Sequence, residues 1–427
     1  MGKFIIEKSP PLKGTVKIDG AKNSVLPILA STLISKNQSV IREVPDLSDV
    51  VVMIELLESC GAKIAWDKEK KIICVDSQKV KSKEIPYEQV SKMRASFLIM
   101  GPLLSRFKKV AIPLPGGCQI GSRPVDLHLK GFQAMGAKIN QEHGFVETST
   151  KKLIGSNIYL DFPSVGATEN IIMAGVLAEG QTIIENCAIE PEIVDLSNFL
   201  NGMGADIRGA GTDTIKINGV KNLTDVDHTV IPDRIEAGTF MIAAAITRGD
   251  VNIENVVVDH LKPIIAKLKE MNFSVSETEK GIRVFYEKGK KLNGVDIKTL
   301  PYPGFPTDMQ AQFMGLLSTI EGNSVVTETV FENRFMHVGE LKRMGANIKI
   351  ESRSAIIDGV KNLMGTKVKA TDLRAGATLI LAALVSDEVT EISDIEHIKR
   401  GYCDIDKKLK SLGANVKLIE LIENDRD

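Results

Sequence analysis

The feature that most constrains the fold of this chain is a short phrase that recurs along it. Each copy predicts the end of a helix, a glycine stop and the start of a strand. Six copies at intervals of about seventy residues predict six small α/β units, because such units are too long to be solenoid turns. The copies read LLESCGAKI (56–64), GFQAMGAKI (131–139), FLNGMGADI (199–207), LKRMGANIKI (341–350) and LKSLGANVKL (409–418), with a weaker one, LKEMNFSV, at 268–275.

A second element, a run rich in Ala and Gly, precedes each phrase. Its apolar residues occur on several faces, which predicts a largely buried helix. β-rich runs such as 251–258 and 324–331 follow, so the pattern predicts helices enclosed by sheets. Three units on each side of a joint near 229–233 would make two similar lobes. The predicted buried helices are 24–34, 94–105, 166–180, 236–249, 309–322 and 374–387.

Composition excludes several classes of protein. A net charge of −1 with 26% charged residues argues against bulk nucleic-acid binding. No apolar run has membrane-spanning length and the first residues lack the apolar centre of a signal peptide, so we expect a cytoplasmic protein. The five cysteines are odd in number and form no CxxC pair, which disfavours a disulfide framework and structural zinc. Cys60, Cys74 and Cys187 are predicted to be small apolar residues.

The starts of the six predicted buried helices carry unusual polar residues. Helix N-termini offer free N–H groups and a partial positive charge, which suit phosphate and carboxylate ligands. Ordinary N-capping explains Asp233 and Asp372 at least as well. Ordinary N-capping does not explain the cations, because a positive charge at a helix N-terminus is repelled by the helix dipole. A bound anion would explain why they are there. The residues are Lys22, Asn23, Arg94, Ser164, Val165, Gly166, Asp233, Arg234, Thr307, Asp308, Asp372 and Arg374.

One segment, PGGCQIGSRPVDLH at 115–128, combines turn residues with reactive groups. Proline and paired glycines oppose a helix and favour a loop. A thiol held near a guanidinium has its ionisation favoured, so Cys118 beside Arg123 is a candidate acid or nucleophile. A structural turn thiol remains the alternative.

Eight segments together resemble the UDP-N-acetylglucosamine 1-carboxyvinyltransferase family, also called UDP-N-acetylglucosamine enolpyruvyl transferases. The resemblance covers essentially the whole chain, and the cysteine loop with TETVFENRF is its most specific part. The segments are GAKNSVLP (20–27), MRAS (93–96), PGGCQIGSRPVDLH (115–128), EPEIVD (190–195), FPTDMQAQF (305–313), TETVFENRFMHV (327–338), ATDLRAGA (370–377) and HIKRGY (397–402).

The resemblance implies the two-lobed inside-out α/β enolpyruvyl transferase fold, with six repeats of about 70 residues, three per lobe. It implies one lobe at 22–232 that contains the cysteine loop and a second formed by 1–21 plus 233–427. The active site is expected in the cleft between them. Repeat counting alone does not predict that 1–21 joins the second lobe.

The implied reaction transfers enolpyruvyl from phosphoenolpyruvate to the 3′-hydroxyl of UDP-N-acetylglucosamine and releases phosphate. It proceeds by addition and elimination through a tetrahedral intermediate, as the first committed step of peptidoglycan synthesis. The resemblance implies no metal or organic cofactor. The expected partners are these two small molecules, without nucleic acid or membrane.

The implied catalytic residues are Cys118, Asp308, Lys22 and Arg400. Cys118 would protonate the methylene carbon of phosphoenolpyruvate and could also add to it covalently. An ordinary thiol pKa of about 8.5 leaves it mostly protonated at neutral pH, as a general acid must be. Asp308 would be the base for the 3′-hydroxyl. The resemblance also implies that fosfomycin alkylates Cys118 and that Cys118→Asp gives resistance with retained turnover.

The same resemblance assigns binding roles. The 123–127 segment would bind uridine, 164–166 the diphosphate, and Asn23 and Val330 the sugar. The cations Lys22, Arg123 and Arg400 would hold the anionic groups of phosphoenolpyruvate. The full implied set is Lys22, Asn23, Arg94, Arg123, Pro124, Val125, Asp126, Leu127, Ser164, Val165, Gly166, Asp308, Val330, Arg334, Asp372, Arg374 and Arg400.

One position departs from the pattern. Some family members carry Lys two residues before the SVG motif, where this chain has Phe162. Backbone N–H groups would then hold the diphosphate. His128, His337 and His397 are predicted to be structural, and Glu190 is equally compatible with orienting site residues and with an ordinary loop carboxylate.

Two alternatives stay open. 5-Enolpyruvylshikimate-3-phosphate synthase shares the fold and chemistry, and the 115–128 loop argues against it. A non-catalytic UDP-sugar-binding regulatory paralogue is the other, opposed by the presence of Lys22, Cys118, Asp308 and Arg400.

Overall fold

The structure is a computed structural model that describes residues 2–81, 85–114 and 125–420. Within these ranges the strands are short, mostly of five residues. They are β1 (Gly2–Ile6), β2 (Lys13–Lys17), β3 (Gln38–Arg42), β4 (Lys63–Asp67), β5 (Ile72–Asp76), β6 (Lys109–Pro113), β7 (Lys138–Glu142), β8 (Phe145–Ser149), β9 (Asn157–Tyr159), β10 (Gln181–Glu185), β11 (Asp206–Arg208), β12 (Thr214–Asn218), β13 (Val226–Thr229), β14 (Asp250–Glu254), β15 (Ser274–Thr278), β16 (Gly281–Phe285), β17 (Ile297–Lys298), β18 (Asn323–Thr327), β19 (Asn347–Glu351), β20 (Ser354–Asp358), β21 (Lys367–Lys369), β22 (Thr390–Ser393) and β23 (Val416–Glu420).

The α-helices of the same ranges alternate with these strands. They are α1 (Lys22–Ser31), α2 (Ser48–Ser59), α3 (Tyr87–Ser91), α4 (Met100–Phe107), α5 (Asp126–Ala134), α6 (Val165–Gly175), α7 (Pro191–Gly202), α8 (Arg234–Ile246), α9 (Lys262–Glu270), α10 (Gln310–Leu317), α11 (His337–Arg343), α12 (Leu373–Ala383), α13 (Glu396–Lys399) and α14 (Ile405–Ser411). Short 3₁₀ segments occupy Thr32–Ile34, Arg94–Ile99, Val258–Leu261 and Thr307–Met309. None of these helices is both long and apolar enough to cross a membrane.

The described chain divides into two compact units. The N-terminal unit contains the described residues of 20–231, and the C-terminal unit contains 2–19 and 232–420. Three small sheets lie in the N-terminal unit, ordered β13-β3-β5-β4, β11-β12-β10-β9 and β6-β8-β7. The three sheets of the C-terminal unit are ordered β21-β22-β1-β23, β15-β16-β14-β2 and β17-β18-β20-β19.

Five of these sheets share one pairing pattern. One edge pair is parallel and the other two neighbouring pairs are antiparallel, as in β17–β18 (parallel), β18–β20 and β20–β19. The sixth sheet, β6-β8-β7, has only antiparallel pairs among the described residues. A shared pattern in consecutive segments is the three-dimensional form of the internal repetition predicted from the sequence.

The recurring phrase has the predicted structure in all six copies. In each, a helix is followed by a residue with positive φ and then by a strand, and five of these residues are glycine, at 61, 136, 204, 345 and 413. The weaker copy has Asn272 there with φ of 70°. Asparagine is one of the few residues that tolerate this left-handed conformation, so it replaces glycine at modest cost.

The first two strands complete sheets of the C-terminal unit. β1 lies between β22 and β23, antiparallel to both, with Phe4 opposite Ile392 and Leu418. β2 pairs in parallel with β14, and Val16 lies opposite Ile253. The long segment 20–231 is therefore inserted between strands that belong to one unit.

The Ala- and Gly-rich runs form buried helices, as predicted. In the C-terminal unit α8, α10 and α12 pack on one another, and nearly all of their residues are buried. In the N-terminal unit α4 packs on α6 in the same way. The run at 94–105 differs from a single helix, because residues 94–99 form a 3₁₀ segment before α4 begins.

Two other predictions are wrong. Cys74 is exposed and not a buried apolar residue, because the alternation of β5 points Ile73 and Val75 inward and Cys74 outward. The β-rich run at 251–258 is a strand only up to Glu254, and the run at 324–331 is a strand only up to Thr327. Beyond it the backbone turns around the buried Glu328 carboxylate, which accepts hydrogen bonds from the backbone N–H groups of Val330 and Phe331.

Candidate active site

A carboxylate held by two arginines is the most distinctive charged group of the C-terminal unit. Asp308 lies in the 3₁₀ turn before α10. Its Oδ1 accepts from Arg334 Nη2 at 2.7 Å, and its Oδ2 accepts from Arg374 Nη2 at 2.8 Å. Both arginines are about 95% buried, whereas the Asp308 side chain is 26% exposed. The predicted base is therefore fixed in orientation while one face of it reaches solvent.

Burial works against the charge of Arg374, but the nearby Asp308 carboxylate and the Tyr402 hydroxyl oppose this effect. The net result is that the pKa of Arg374 is raised above its ordinary value. Arg374 is thus a permanent cation, and it pairs with the Asp308 carboxylate. A carboxylate that must accept a proton from a hydroxyl has to be ionised beforehand.

Glu328 fixes the loop that carries Val330. Its Oε1 accepts from Thr299 Oγ1 at 2.8 Å and from the Val330 backbone N–H at 2.8 Å. Its Oε2 accepts from Thr307 Oγ1 at 2.8 Å, so the same carboxylate also holds the turn in which Asp308 lies. Val330 and Asp308, which are 22 residues apart in the sequence, are tied together by one buried side chain.

Three helix starts named in the sequence analysis are capped by their own side chains. Asp233 accepts from the N–H groups of Ile235 and Glu236, and Asp372 accepts from those of Arg374 and Ala375. Ser164 accepts from the Ala167 N–H. For these residues ordinary capping is present, and through it Asp372 fixes the backbone of Arg374.

Two of the cations at the helix starts, Lys22 and Arg374, have carboxylate partners in their own units. Lys22, the first residue of α1, lies 3.3 Å from Asp49 Oδ2. The Lys22 side chain is 12% exposed and that of Asp49 is 6% exposed. Asn23 follows on the exposed side of the helix. In the structure a carboxylate therefore offsets the dipole conflict that the sequence analysis attributed to a bound anion.

Behind Lys22 and Asn23, the start of α1 is fastened to a buried carboxylate. Asp195 on α7 accepts from Ser24 Oγ, from the Ile231 N–H at 3.2 Å and from His228 Nε2 at 2.8 Å. This cluster joins α1, α7 and the end of the N-terminal unit. This order differs from that of a catalytic triad, because the carboxylate lies between the serine and the histidine, and His228 contacts Asp195 and not Ser24 Oγ.

His128 is held as a neutral ring with a defined tautomer. Asn170 Oδ1 accepts from the Gly101 N–H, so its Nδ2 donates to the Phe97 carbonyl and, at 2.9 Å, to His128 Nδ1. Nδ1 is therefore the acceptor and the proton lies on Nε2. Burial, with the charge of Arg94 as a second cause, lowers the pKa of His128 to about 3.

The Nε2 edge of His128 faces the start of α6. A Cβ added at Gly166 would lie 3.2 Å from His128 Cε1 and 3.5 Å from Nε2. Ser164, Val165 and Gly166 are half-buried at this helix start, and Phe162 just before it is 46% exposed. The ring thus adds an N–H donor beside the backbone N–H groups to which the sequence analysis assigned the diphosphate. The His128 ring is buried and hydrogen-bonded to Asn170, and its predicted structural role stays a prediction.

The remaining predicted residues are placed as follows. Val125, Asp126 and Leu127 form the start of α5, with Asp126 exposed in its first turn. Arg400 follows α13 and is half-buried. Cys118, Arg123 and Pro124 lie outside the described residues, so their predicted roles stay predictions. Burial lowers the pKa of His337, which is near Asp372 and Arg334, to about 4, and His397 lies in the last turn of α13.

Sequence reasoning missed the groups that hold these residues in place. Asp49, Glu328, Asn170 and Tyr402 have no spacing or motif that marks them as partners of Lys22, Val330, His128 and Arg374. Glu328 and Tyr402 do lie inside two of the resembling segments, 327–338 and 397–402. Membership of these segments could have marked Glu328 and Tyr402 as residues of interest, but it does not indicate which residues they contact.

Comparison with known proteins gives one consistent result. A family model described as EPSP synthase (3-phosphoshikimate 1-carboxyvinyltransferase) matches residues 6–409. The UDP-N-acetylglucosamine 1-carboxyvinyltransferase 1 of Caldanaerobacter subterraneus subsp. tengcongensis is 62% identical over 97% of this chain and 99% of its own. The UDP-N-acetylglucosamine 1-carboxyvinyltransferase 2 of Carboxydothermus hydrogenoformans is 60% identical over 98% of this chain and 100% of its own. The chain belongs to the UDP-N-acetylglucosamine 1-carboxyvinyltransferase family. The resemblance inferred from the eight segments is thus confirmed.

Solved structures agree on the fold. The enolpyruvyl transferase NikO from Streptomyces tendae has a TM-score of 0.88 at 25% identity and covers 99% of both chains. EPSP synthase from Acinetobacter baumannii has a TM-score of 0.75 at 19% identity, covering 98% of this chain and 100% of that one. The predicted enolpyruvyl transferase fold is confirmed, and this protein is an enolpyruvyl transferase by family.

Proposed function

We propose that this protein transfers the enolpyruvyl group of phosphoenolpyruvate to the 3′-hydroxyl of UDP-N-acetylglucosamine and releases phosphate. The observation that carries the proposal is the 62% identity, over nearly the whole length of both chains, to a protein of that name. The reaction would take place in the cytoplasm. It would supply peptidoglycan synthesis, and with it cell-wall growth and cell division.

In this reaction Asp308 accepts the proton of the 3′-hydroxyl. Its partners suggest how it becomes available. Arg334 and Arg374 hold both of its oxygens, and phosphoenolpyruvate brings a phosphate and a carboxylate that compete for the same guanidinium groups. When the substrate anion takes over part of this pairing, Asp308 becomes a stronger base. The arginines then serve both as anion ligands and as a restraint on the base before substrate binds.

The other predicted residues, which come from both units, bind the nucleotide sugar and the anionic groups of phosphoenolpyruvate. We assign Lys22, with Arg123 and Arg400, to the anionic groups of phosphoenolpyruvate, and Asn23 with Val330 to the sugar. The support for Lys22 is its position as a mostly buried cation at the start of α1.

The diphosphate binds at the start of α6 without a lysine at position 162. The backbone N–H groups at the start of α6 and the helix dipole attract the anion, and the His128 Nε2–H lies beside them. Arg94, close enough to lower the pKa of His128, supplies positive charge. Val125, Asp126 and Leu127, with Arg123 and Pro124, bind the uridine.

Cys118 protonates the methylene carbon of phosphoenolpyruvate. When its thiol adds covalently to phosphoenolpyruvate instead, a pyruvate adduct forms. Fosfomycin is expected to alkylate the same thiol. Mass spectrometry of the treated protein tests this assignment, with the exposed Cys74 as internal comparison. Adducts confined to Cys74 or other cysteines would contradict it.

The deciding experiment is phosphate release from phosphoenolpyruvate with UDP-N-acetylglucosamine, beside parallel wells with shikimate 3-phosphate. Release only with the nucleotide sugar, lost in Cys118→Ala and kept in Cys74→Ala, supports the proposal. Release with shikimate 3-phosphate would overturn the substrate assignment. Binding of the nucleotide sugar without release of phosphate would indicate a regulatory protein instead of an enzyme.

A further inference from the structure

Tyr402 ends the segment HIKRGY, from which the sequence analysis assigned a role to Arg400 alone. Its side chain is 3% exposed and its hydroxyl lies among three side chains from three buried helices. These are Thr239 of α8 at 2.9 Å, Gln312 of α10 at 3.3 Å and Arg374 of α12 at 3.1 Å. A hydroxyl at the meeting point of three buried helices has few alternative positions.

The hydrogen bonds around this hydroxyl have one consistent direction. Thr239 Oγ1 lies 2.8 Å from the Ile235 carbonyl oxygen, which can only accept a hydrogen bond. The single hydroxyl proton of Thr239 is therefore donated to this carbonyl. Tyr402 therefore donates to Thr239, and its oxygen is left to accept from Arg374 Nη1. The result is an ordered chain from the Arg374 guanidinium through Tyr402 and Thr239 to the backbone of α8.

Arg374 has few other polar partners. Nη2 donates to Asp308 Oδ2 at 2.8 Å, and Nε is buried without a hydrogen-bond partner. Its guanidinium carbon also lies 5.6 Å from the centre of the Tyr402 ring. Without the hydroxyl, Nη1 would lose its acceptor in a buried place, and a buried unpaired N–H is costly. The guanidinium would then move to find another partner, and Asp308 would lose a fixed contact.

The backbone next to Tyr402 is locked to the same helix. A Cβ added at Gly401 would lie 2.7 Å and 2.9 Å from the two terminal methyl groups of Leu373, the neighbour of Arg374. The segment that carries Arg400, Gly401 and Tyr402 therefore packs directly on the start of α12. Tyr402 and Arg374 cannot shift independently.

We propose that Tyr402 is a positioning residue, whose hydroxyl fixes the Arg374 guanidinium and through it the orientation of the Asp308 carboxylate. The inference rests on the proposed function, in which Asp308 takes the proton from the 3′-hydroxyl. Tyr402 does not touch the reacting atoms. Its effect reaches them through two hydrogen bonds.

The test is steady-state kinetics of the full-length protein with Tyr402→Phe, which keeps the ring and removes the hydroxyl. The expected result is a kcat lowered by about tenfold to a hundredfold, the range that small misplacements of catalytic groups produce. The KM for UDP-N-acetylglucosamine should change much less. Tyr286→Phe is the matched control, because the Tyr286 hydroxyl in the same unit donates only to the exposed Lys290 carbonyl. An unchanged kcat in Tyr402→Phe, or an equal loss in Tyr286→Phe, would overturn the proposal.

A double-mutant cycle separates positioning from general loosening of the fold. If Tyr402 acts through Arg374, then Tyr402→Phe combined with Arg374→Lys should be about as slow as Arg374→Lys alone. Losses that multiply would show that Tyr402 acts by another route and would overturn the proposal. If Tyr402→Phe does not fold, Thr239→Val is the deciding variant. It removes the hydroxyl to which Tyr402 donates, and it should lower kcat by a smaller factor than Tyr402→Phe would.

Failure of the underlying function gives a different pattern. Wild-type protein that releases no phosphate would reject the proposed function and this inference with it. Active wild-type protein with an unaffected Tyr402→Phe variant would reject only the inference.

Discussion

At the scale of single residues, the chemistry of the candidate site depends on partners far away in sequence. Asp308 is 26 residues from Arg334 and 66 from Arg374, and no periodicity links such distances. The sequence could indicate that Asp308 and the arginines matter, because each lies in a resembling segment. It could not indicate that both oxygens of one carboxylate are taken by two guanidinium groups, since this depends on how α10, α11 and α12 pack.

Arg374→Lys is expected to lower kcat by about tenfold or more, because an ammonium cannot hold Asp308 and Tyr402 with two separately directed N–H groups. The measurement is phosphate release at saturating substrates. Arg343→Lys is the control, since Arg343 is an exposed arginine of the same unit that donates to the Lys367 carbonyl. Equal effects of the two replacements would contradict this reading.

His128→Gln is expected to change how stability depends on pH. The pKa of His128 is lowered to about 3 in the fold, so its neutral ring stabilises the fold above the unfolded pKa, near 6.5, and this contribution is lost as pH falls. The loss amounts to about 1 kcal/mol per pH unit below 6.5. The difference in unfolding free energy between wild type and variant should therefore shrink from pH 7 to pH 5 in urea titrations.

His143→Gln provides the comparison for that experiment, because His143 lies in an exposed turn between β7 and β8. A difference for His128→Gln that stays constant from pH 7 to pH 5 would contradict the assigned cause.

At the scale of elements, the recurring phrase was the most reliable guide. It predicted all six helix–glycine–strand junctions, because a left-handed stop is a local requirement that local sequence must meet. The run at 94–105 was predicted less well. Pro102 has no N–H to donate to Leu98, so the α-helix begins only at Met100 and the preceding residues adopt a 3₁₀ conformation. The end of strand β18 was missed because the buried Glu328 carboxylate turns the chain, and burial cannot be read from one residue.

Gly101→Ala is expected to destabilise the contact between α4 and α6. The added Cβ would lie 2.4 Å from the Asn170 carbonyl oxygen and 2.8 Å from its Oδ1, so backbone must move, at a cost of about 2 kcal/mol or more. Gly339→Ala is the control, because nothing lies within 4 Å of a Cβ on that exposed helical residue. Chemical denaturation should show a loss for the first variant and a gain of up to about 1 kcal/mol for the second. Equal behaviour would refute the packing argument.

At the scale of the whole molecule, the sequence predicted six repeats, and the fold class is confirmed. Counting repeats could not predict that β1 completes the sheet of β22 and β23, because strand pairing between distant segments leaves no local pattern. The resemblance implied such a crossing. The arrangement of the two sets of site residues around one pair of substrates stays a proposal.

A fragment of residues 20–231 is expected to fold by itself. Its ends are adjacent, since the Ala21 N–H donates to the Ile231 carbonyl at 2.8 Å, and its three sheets pair only within it. A cooperative urea transition followed by circular dichroism would support this expectation. A fragment without a transition would contradict it. The fragment should release no phosphate, because Asp308 is absent from it.

The pairing of β1 with β22 and β23 also sets an order of events during synthesis on the ribosome. Residues 2–6 are made long before their neighbours at 390–393 and 416–420. At ordinary elongation rates the wait is roughly half a minute. During that time the inserted unit can fold while β1 remains an unpaired strand, the kind of segment that joins other chains. Until β22 and β23 are made, β1 is therefore open to pairing with other chains.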